Sequence, residues 1–412
     1  MIATSANQVL GWLIALLVAI LPLAHTTGLR NLLSFAATLA IAVILVRERR
    51  RPPLPLWVMT AWAALAAASA LWSSNAAATL HGVLYNIVLP AGVFIAAWHA
   101  ALDQVAFDRM RWGAAAGVLC LGVIVFLVLA SGRPASTFMP DEAGLSRIYF
   151  WPGVGVASTF AALITPLAFL MMVSARRAER YAGIAVLLAA LAAAGVSQNR
   201  VVWPSFLAGG VAFVVWMWPI LPPARRYIAG ALLLAAAFGL LAGFQYATFE
   251  RRTLPLDRDV RVQGWQEWTA IALARPVIGH GFGRTQVHLE GQRGITQSMK
   301  DRDPQLVSHA HNLFLDIVVQ LGVIGLVVYC ALLASLLREY WRLGGGAAPH
   351  TYRLVGAAAF SLLIVMLAKN STDDFMHQAT GIAFWVYAGI LLGRLEDVGQ
   401  DVSSRSSRSY PA

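Results

Sequence analysis

Long apolar stretches alternate with short polar connections along almost the whole chain. A helix that crosses a bilayer needs roughly 20 apolar residues, and by that rule the pattern predicts about 12 spans. They are expected near residues 9–25, 31–46, 56–72, 82–98, 113–131, 155–173, 182–197, 201–219, 228–245, 312–337, 354–369 and 379–393. The predicted class is therefore an all-α polytopic integral membrane protein.

The composition agrees with this class. Hydrophobic residues make up 58% of the chain and charged residues only 12%, which leaves too little polar surface to cover a soluble protein of 412 residues. The net charge is +11, but the basic residues are scattered through short connections, so we interpret them as topology signals and not as a nucleic-acid site. Cys120 and Cys330 both lie in apolar stretches and predict neither a disulfide nor a Cys-ligated metal.

Lys and Arg are concentrated in alternate connections, for example at residues 47–51, and this bias predicts that both termini are cytoplasmic. The first apolar stretch lacks a basic n-region and a small-residue cleavage site, so we expect a retained span and not a cleaved signal. The expected division of the chain is nine spans in residues 1–245, an outer loop in 246–310 and three spans in 311–395. The Ser- and Arg-rich residues 396–412 are expected to form a disordered cytoplasmic tail.

The outer loop is longer than a simple connection and contains aromatic residues, so it is expected to fold. Arg261, Trp265 and Trp268 have helical spacing, and Pro276 marks the end of the predicted short helix. The glycine-rich residues 279–283 follow, and we interpret them as a flexible hinge.

The clearest polar cluster is Ser308-His309-Ala310-His311-Asn312, which runs directly into an apolar stretch. Imidazole can accept a proton near neutral pH, so His311 is a candidate general base and His309 could share that role. A hydrogen-bonded polar residue at a helix end is an equal alternative for His311. Asp373 and Asp374 lie in the last predicted outer connection and could orient an imidazole.

Three arginines are predicted on the same outer face, namely Arg147, Arg200 and Arg261. Guanidinium groups bind phosphate oxygens in bidentate fashion, so these side chains could hold a diphosphate and stabilise its departure. An interfacial anchor is the alternative for each of them. Few ionisable groups lie within the spans, Asp316 being the one well inside, and this favours surface chemistry over a transporter.

Metal binding has weak support in the sequence. Asp257-Arg258-Asp259 and Asp301-Arg302-Asp303 have an Asp-x-Asp pattern, but the intervening arginine opposes a cation and local ion pairs are favoured. The histidines at 280, 288, 309 and 311 lack a His-x3-His pair or a Cys partner that would indicate zinc. We therefore expect no metal and no cofactor.

These residues also resemble a known family. His311-Asn312, nine further residues and Gly322-Val323-Ile324-Gly325 are similar to the His-Asn-x9-Gly-x-x-Gly signature of bacterial O-antigen ligases and the related O-antigen polymerases. Arg261-x3-Trp265 with Pro276-x2-Gly279-x-Gly281 resembles the upstream half of that domain, and Asn199-Arg200 with Trp203 resembles its earlier Ser-Arg step. The resemblance covers about residues 197–337 in motif. Asn199 replaces the usual Ser, and Leu326-Val327 stand where some relatives have Thr-Thr.

The resemblance implies a metal-independent, inverting glycosyl transfer at the periplasmic face of the bacterial inner membrane. The donor would be a glycan on undecaprenyl diphosphate and the acceptor lipid A-core, with membrane lipids around the site and no nucleic acid. His311 would be the base, and Arg200 and Arg261 would bind the diphosphate. Arg147 is added to the diphosphate-binding residues because of its predicted position on the outer face, and Trp265 is added as a supporting residue. The outer loop would be periplasmic and contain short helices. The alternatives are an O-antigen polymerase, a protein O-oligosaccharyltransferase and, from another class, a lipid flippase or transporter.

Overall fold

The protein is described by a computed structural model, and nearly all of its regular structure is helical. The structure describes residues 2–23, 25–48, 52–130, 138–140, 146–148, 154–197, 199, 201–224, 226–227, 230–231, 234, 237–239, 260–346, 348–374 and 376–406. Two strands of three residues, β1 (Phe138–Pro140) and β2 (Ser146–Ile148), pair antiparallel with Met139 opposite Arg147.

The first half of the chain forms a series of mostly apolar helices. They are α1 (Ile2–Ile20), α2 (Thr27–Glu48), α3 (Leu54–Ala68), α4 (Ala76–Val83), α5 (Leu89–Ala100), α6 (Gln104–Ala130), α7 (Val154–Met172), α8 (Arg177–Ser197) and α9 (Val202–Met217). Among them, α4, a turn and α5 together make one segment of membrane-spanning length. Three short helices follow, namely α10 (Val260–Ala274), α11 (Arg284–Gly294) and α12 (Gln297–Arg302), and then the long helices α13 (Leu313–Gly344), α14 (His350–Asn370) and α15 (Gln378–Ser406).

Nine helical segments of the described residues are long and apolar enough to cross a membrane, which confirms a polytopic, all-helical membrane protein. The predicted span at 9–25 corresponds to the shorter apolar helix Asn7–Ile20, and most of the one at 228–245 lies outside the described residues. The number of about 12 spans and the sidedness of the termini remain predictions.

Two details differ from expectation. Helix α15 continues to Ser406, so residues 396–406 of the predicted disordered tail are helical, while 407–412 lie outside the described residues. Between α4 and α5 the backbone forms a π-helical turn over Leu84–Val88. Pro90 follows it, and because proline has no amide proton and crowds the preceding turn, wider winding relieves the conflict.

Small residues allow the long helices to pack closely. A Cβ atom added at Gly113 or Gly117 of α6 would lie 2.4 or 2.6 Å from the carbonyl oxygens of Ala15 and Ala19 in α1. Small residues four positions apart let two helix backbones approach closely. Within a lipid bilayer no hydrophobic effect drives helices together, so this close van der Waals packing is a main source of helix association. The glycines of α6 therefore allow its backbone to lie directly against that of α1.

Helix α13 is broken at Gly322, whose backbone angles of φ 62° and ψ −165° belong to a region nearly restricted to glycine. The segment of residues 276–281 replaces the lost intrahelical contacts. The amides of His280 and Gly281 donate to the carbonyls of Val319 and Gln320 at 2.9 Å, and the amide of Val323 donates to the Pro276 carbonyl at 2.8 Å. The hinge predicted for residues 279–283 is therefore wrong, because this segment is hydrogen-bonded into the break.

Gly322→Ala should destabilise the protein by about 3 kcal/mol or more, because the new Cβ adds both backbone strain and overpacking. That Cβ would lie 2.2 Å from the carbonyl carbon and oxygen of Val277. Gly346→Ala is a matched control, since Gly346 also has a positive φ of 56° but nothing lies within 4 Å of its added Cβ. Thermal unfolding in detergent should show the larger loss for Gly322→Ala; equal losses would contradict this explanation.

Candidate functional site

One face of α10 fixes the chain that leads into α13. Trp265 and Trp268 lie one turn apart, and their indole N–H groups donate to the carbonyls of His311 at 3.4 Å and of Leu306 at 3.0 Å. Trp268 is fully buried. The helix predicted from the spacing of Arg261, Trp265 and Trp268 is confirmed, and its aromatic face positions the histidine-bearing turn.

His311 lies in a strained turn that is held from both sides. Its φ is +50°, a value that residues other than glycine rarely adopt. Next to it, the Asn312 side-chain oxygen caps α13 by accepting from the amides of residues 314 and 315, while its amide group donates to the Ser371 carbonyl at 2.9 Å. On the other side, the buried Asp316 carboxylate accepts from the Ala310 amide at 3.0 Å. Such over-determined strain is typical of functional sites.

Asp373 meets both histidines. Its Oδ1 lies 3.3 Å from Nδ1 of His311 and 3.6 Å from Nε2 of His309, and the two imidazole centroids are 3.8 Å apart. Its other oxygen, Oδ2, lies 3.9 Å from Nζ of the buried Lys369. A buried carboxylate therefore sits between two imidazoles and an ammonium group.

The charges around Asp373 keep it ionised. Burial alone raises the pKa of its carboxyl, but hydrogen bonds with His309 and His311 and the positive charges of Lys369 and Arg261 hold that pKa well below its ordinary value. For His309, burial and then the charge of Arg284 lower the pKa to about 3, so this ring is neutral at pH 7.

This environment prepares His311 as a proton acceptor. An ionised Asp373 can accept only from an Nδ1–H of His311, which leaves the lone pair of the neutral ring on Nε2. Nε2 is buried and has no hydrogen-bond partner among the residues that the structure describes. An oriented imidazole with a free basic nitrogen is the arrangement that general-base catalysis requires.

Acidification should destabilise the fold through His309. The unfolded imidazole has a pKa near 6.5 and the folded one a pKa of about 3, so the unfolded state binds more protons between these values. The stability that the neutral His309 ring contributes is fully present above about pH 6.5 and is lost as the pH falls toward 3. The melting temperature of detergent-solubilised protein should therefore fall from pH 7.5 to 5, and less steeply in His309→Gln than in the exposed control His288→Gln. Parallel slopes would rule out this origin.

The neighbouring carboxylate, Asp374, belongs to a second cluster. Its Oδ2 lies 3.1 Å from Nη2 of Arg284, and the same Nη2 lies 3.2 Å from Nδ1 of His377. Arg284 also donates to the Asp374 carbonyl. Two consecutive aspartates thus serve two adjacent sites.

The predicted site residues are placed as follows. His309, His311, Trp265, Asp373 and Asp374 lie together where α10, the start of α13 and the connection after α14 meet. Arg261 joins them, because its Nη1 donates to the Thr372 carbonyl at 3.5 Å.

The other two predicted arginines are not placed in this way. Arg200 lies outside the described residues, and Arg147 lies in β2, with its side chain outside what the structure describes. Arg284 and Lys369 were not among the site residues predicted from the sequence. The one available signal was position, since Arg284 directly follows the glycine-rich segment and Lys369 precedes Asp373 by four residues.

The same atoms also have the composition of a metal site. His309, His311 and Asp373 each offer one ligand atom, and these atoms lie within 4.8 Å of one another. Two imidazoles and a carboxylate are a common zinc set. Lys369, 3.9 Å from the carboxylate, opposes a divalent cation at this position. Of the Asp-x-Asp pairs, Asp257 and Asp259 lie outside the described residues, while Asp301 accepts from Gln297 at 2.7 Å.

Comparison with known families gives a match over part of the chain. Residues 184–330 match the family model described as O-antigen ligase. This range includes α10, the glycine-rich segment, His311 and the break at Gly322. A search of curated proteins finds no match.

Proposed function

We propose that this chain, whose residues 184–330 match the O-antigen ligase family model, moves an O-antigen glycan from undecaprenyl diphosphate to lipid A-core. The family match supports a glycosyl-transferring ligase or polymerase that acts on polysaccharide and lipid substrates in a membrane. We propose the ligase, acting at the periplasmic face of the inner membrane, with both termini cytoplasmic as the Lys and Arg distribution favours.

The contact between His311 and Asp373 carries the proposal. Nε2 of His311 would take the proton from an acceptor hydroxyl while that oxygen bonds to the anomeric carbon of the donor sugar. The bond from the anomeric carbon to the diphosphate oxygen breaks, and its electron pair leaves with the diphosphate. One displacement inverts the anomeric configuration. Asp373 would stabilise the imidazolium that forms, since the carboxylate lies 3.3 Å from Nδ1.

Arginines would stabilise the departing diphosphate. Arg261 is supported by its position beside the Asp373 connection, and Arg200 and Arg147 are proposed from the sequence. Fixed positive charges at a developing negative charge are usually the largest local contribution to such a transfer. They supply the stabilisation that a divalent cation would otherwise give, so we propose a metal-independent reaction.

Purified enzyme should therefore keep its activity in EDTA, with no gain on adding Mg²⁺, Mn²⁺ or Zn²⁺. The charge of Lys369 next to the only three-ligand group identified among the described residues is the physical reason. The activity is measured as transfer of glycan from lipid-linked donor to lipid A-core, with the product detected on a gel. Loss of activity in EDTA that zinc restores would instead assign His309, His311 and Asp373 as metal ligands.

The lipopolysaccharide of a deletion strain tests the activity itself. A ligase defect should remove all O-chain from the core while lipid-linked polymer accumulates. A core that carries a single repeat unit would instead indicate the polymerase, which joins repeat units on the lipid carrier. An unchanged ladder would contradict both. Complementation with the wild-type chain, but not with His311→Ala, should restore the ladder.

A further inference from the structure

A cavity of about 60 Å³ lies beside the cluster of Arg284, Asp374 and His377. Its wall is formed by α3, the π-helical turn, the glycine-rich segment, α13 and α15. Asp374 lines the cavity, and its neighbour Asp373 contacts His311, so the cavity adjoins the proposed base.

Two buried polar atoms of the wall, the Tyr329 hydroxyl and Nε of Arg284, have no hydrogen-bond partner among the described residues. Tyr329 lines the cavity, is only 5% exposed, and its hydroxyl has no hydrogen-bond partner in the described part of the chain. A buried hydroxyl without a partner costs about 1 to 3 kcal/mol, so such a group next to a cavity indicates a polar ligand. By contrast, the Gln320 side chain in the same wall is satisfied by Asp316 and the Gly283 amide.

The wall combines aromatic surfaces with hydrogen-bonding groups. Trp62 packs against Tyr329 and Phe282, with ring centroids 5.3 and 6.1 Å apart. Asn86 and Asp374 add an amide and a carboxylate. A sugar ring matches this mixture, because its C–H faces pack on aromatic rings while its hydroxyls both donate and accept hydrogen bonds.

Other ligand classes fit less well. An isoprenoid tail would bury the amide and the carboxylates without replacing their hydrogen bonds, which is costly. A free phosphate would meet the buried carboxylate of Asp374, and the one cation among the lining residues, Arg284, is already paired with that carboxylate. An uncharged, hydroxyl-rich ligand avoids both penalties.

We propose that this cavity binds a saccharide unit of one substrate, with the Tyr329 hydroxyl bonded to a sugar hydroxyl and Trp62 against a ring face. The inference rests on the proposed function, and the sugar belongs either to the acceptor core or to the donor glycan. The π-helical turn has a purpose in this arrangement, since it places Asn86 in the wall.

Steady-state kinetics of Tyr329→Phe test the proposal. Losing one hydrogen bond should raise KM for one substrate about 3- to 10-fold, with kcat within about twofold. A rise for lipid A-core assigns the acceptor sugar, and a rise for the lipid-linked glycan assigns the donor sugar. Unchanged KM values for both substrates would overturn the proposal. Tyr340→Phe is the matched control on the same helix, because its hydroxyl bonds the Ala388 carbonyl at 3.3 Å and KM should not change.

A binding measurement separates this inference from the proposed function. Saturation-transfer NMR on the detergent-solubilised chain would use two lipid-free probes, the core oligosaccharide and an O-antigen oligosaccharide. His311→Ala should bind the probe as wild type does while transfer is lost, and Tyr329→Phe should bind it more weakly. Equal binding by wild type and Tyr329→Phe would refute the saccharide site, whereas undiminished transfer by His311→Ala would refute the proposed mechanism and leave the site intact.

Discussion

His311→Ala should lower the transfer rate by about 10²- to 10⁴-fold, the range that general-base catalysis contributes. The reason is the free Nε2 on a ring whose Nδ1 is engaged by Asp373 at 3.3 Å. A single-turnover assay with lipid-linked donor and lipid A-core measures the chemical step without product release. His288→Ala, on the exposed face of α11, should retain full activity.

The dependence on Asp373 makes this prediction sharper. Asp373→Asn keeps the shape of the side chain but can place an amide N–H against Nδ1 of His311, which favours the tautomer whose proton is on Nε2. Activity should fall strongly, and the double variant with His311→Ala should lose little more than His311→Ala alone, because the two residues act as a unit. Multiplicative losses would mean that Asp373 acts independently of His311.

The helices were predictable because a lipid-facing chain must satisfy every backbone hydrogen bond within its own segment. An apolar stretch of sufficient length therefore folds in one way, as α13 and α14 do. The break at Gly322 was not predictable in this way. It depends on residues 276–281, some forty positions earlier, whose amides and carbonyls replace the missing helical contacts.

The candidate site was partly predictable for a similar reason. Histidine, arginine and tryptophan can be selected by their chemistry and helical spacing, and α10 brings Arg261 and Trp265 to the turn that carries His311. Pairings across the fold have no local signal. Nothing in the sequence separates Asp373, which contacts His311, from Asp374, which pairs with Arg284. Only the packing of the connection after α14 distinguishes the two.

Arg261→Ala should lower kcat by about 10²- to 10³-fold, as removal of one electrostatic stabiliser of a leaving group does. Arg261→Lys should recover only part of the loss, because an ammonium group is a point charge and cannot bind two phosphate oxygens as a fork. Arg293→Ala is a suitable control, since Arg293 is exposed and pairs locally with Glu290. Single-turnover rates with lipid-linked donor measure the effect.

A second role for Arg261 must be separated from the first, because its charge also helps to keep the pKa of Asp373 low. If Arg261 acted only through Asp373, then Asp373→Asn would remove its effect, and the double variant would be no slower than Asp373→Asn. If Arg261 binds the diphosphate, the two losses should multiply, because base and leaving group are then stabilised independently. We expect multiplication, and an unchanged rate on adding Arg261→Ala to Asp373→Asn would contradict diphosphate binding.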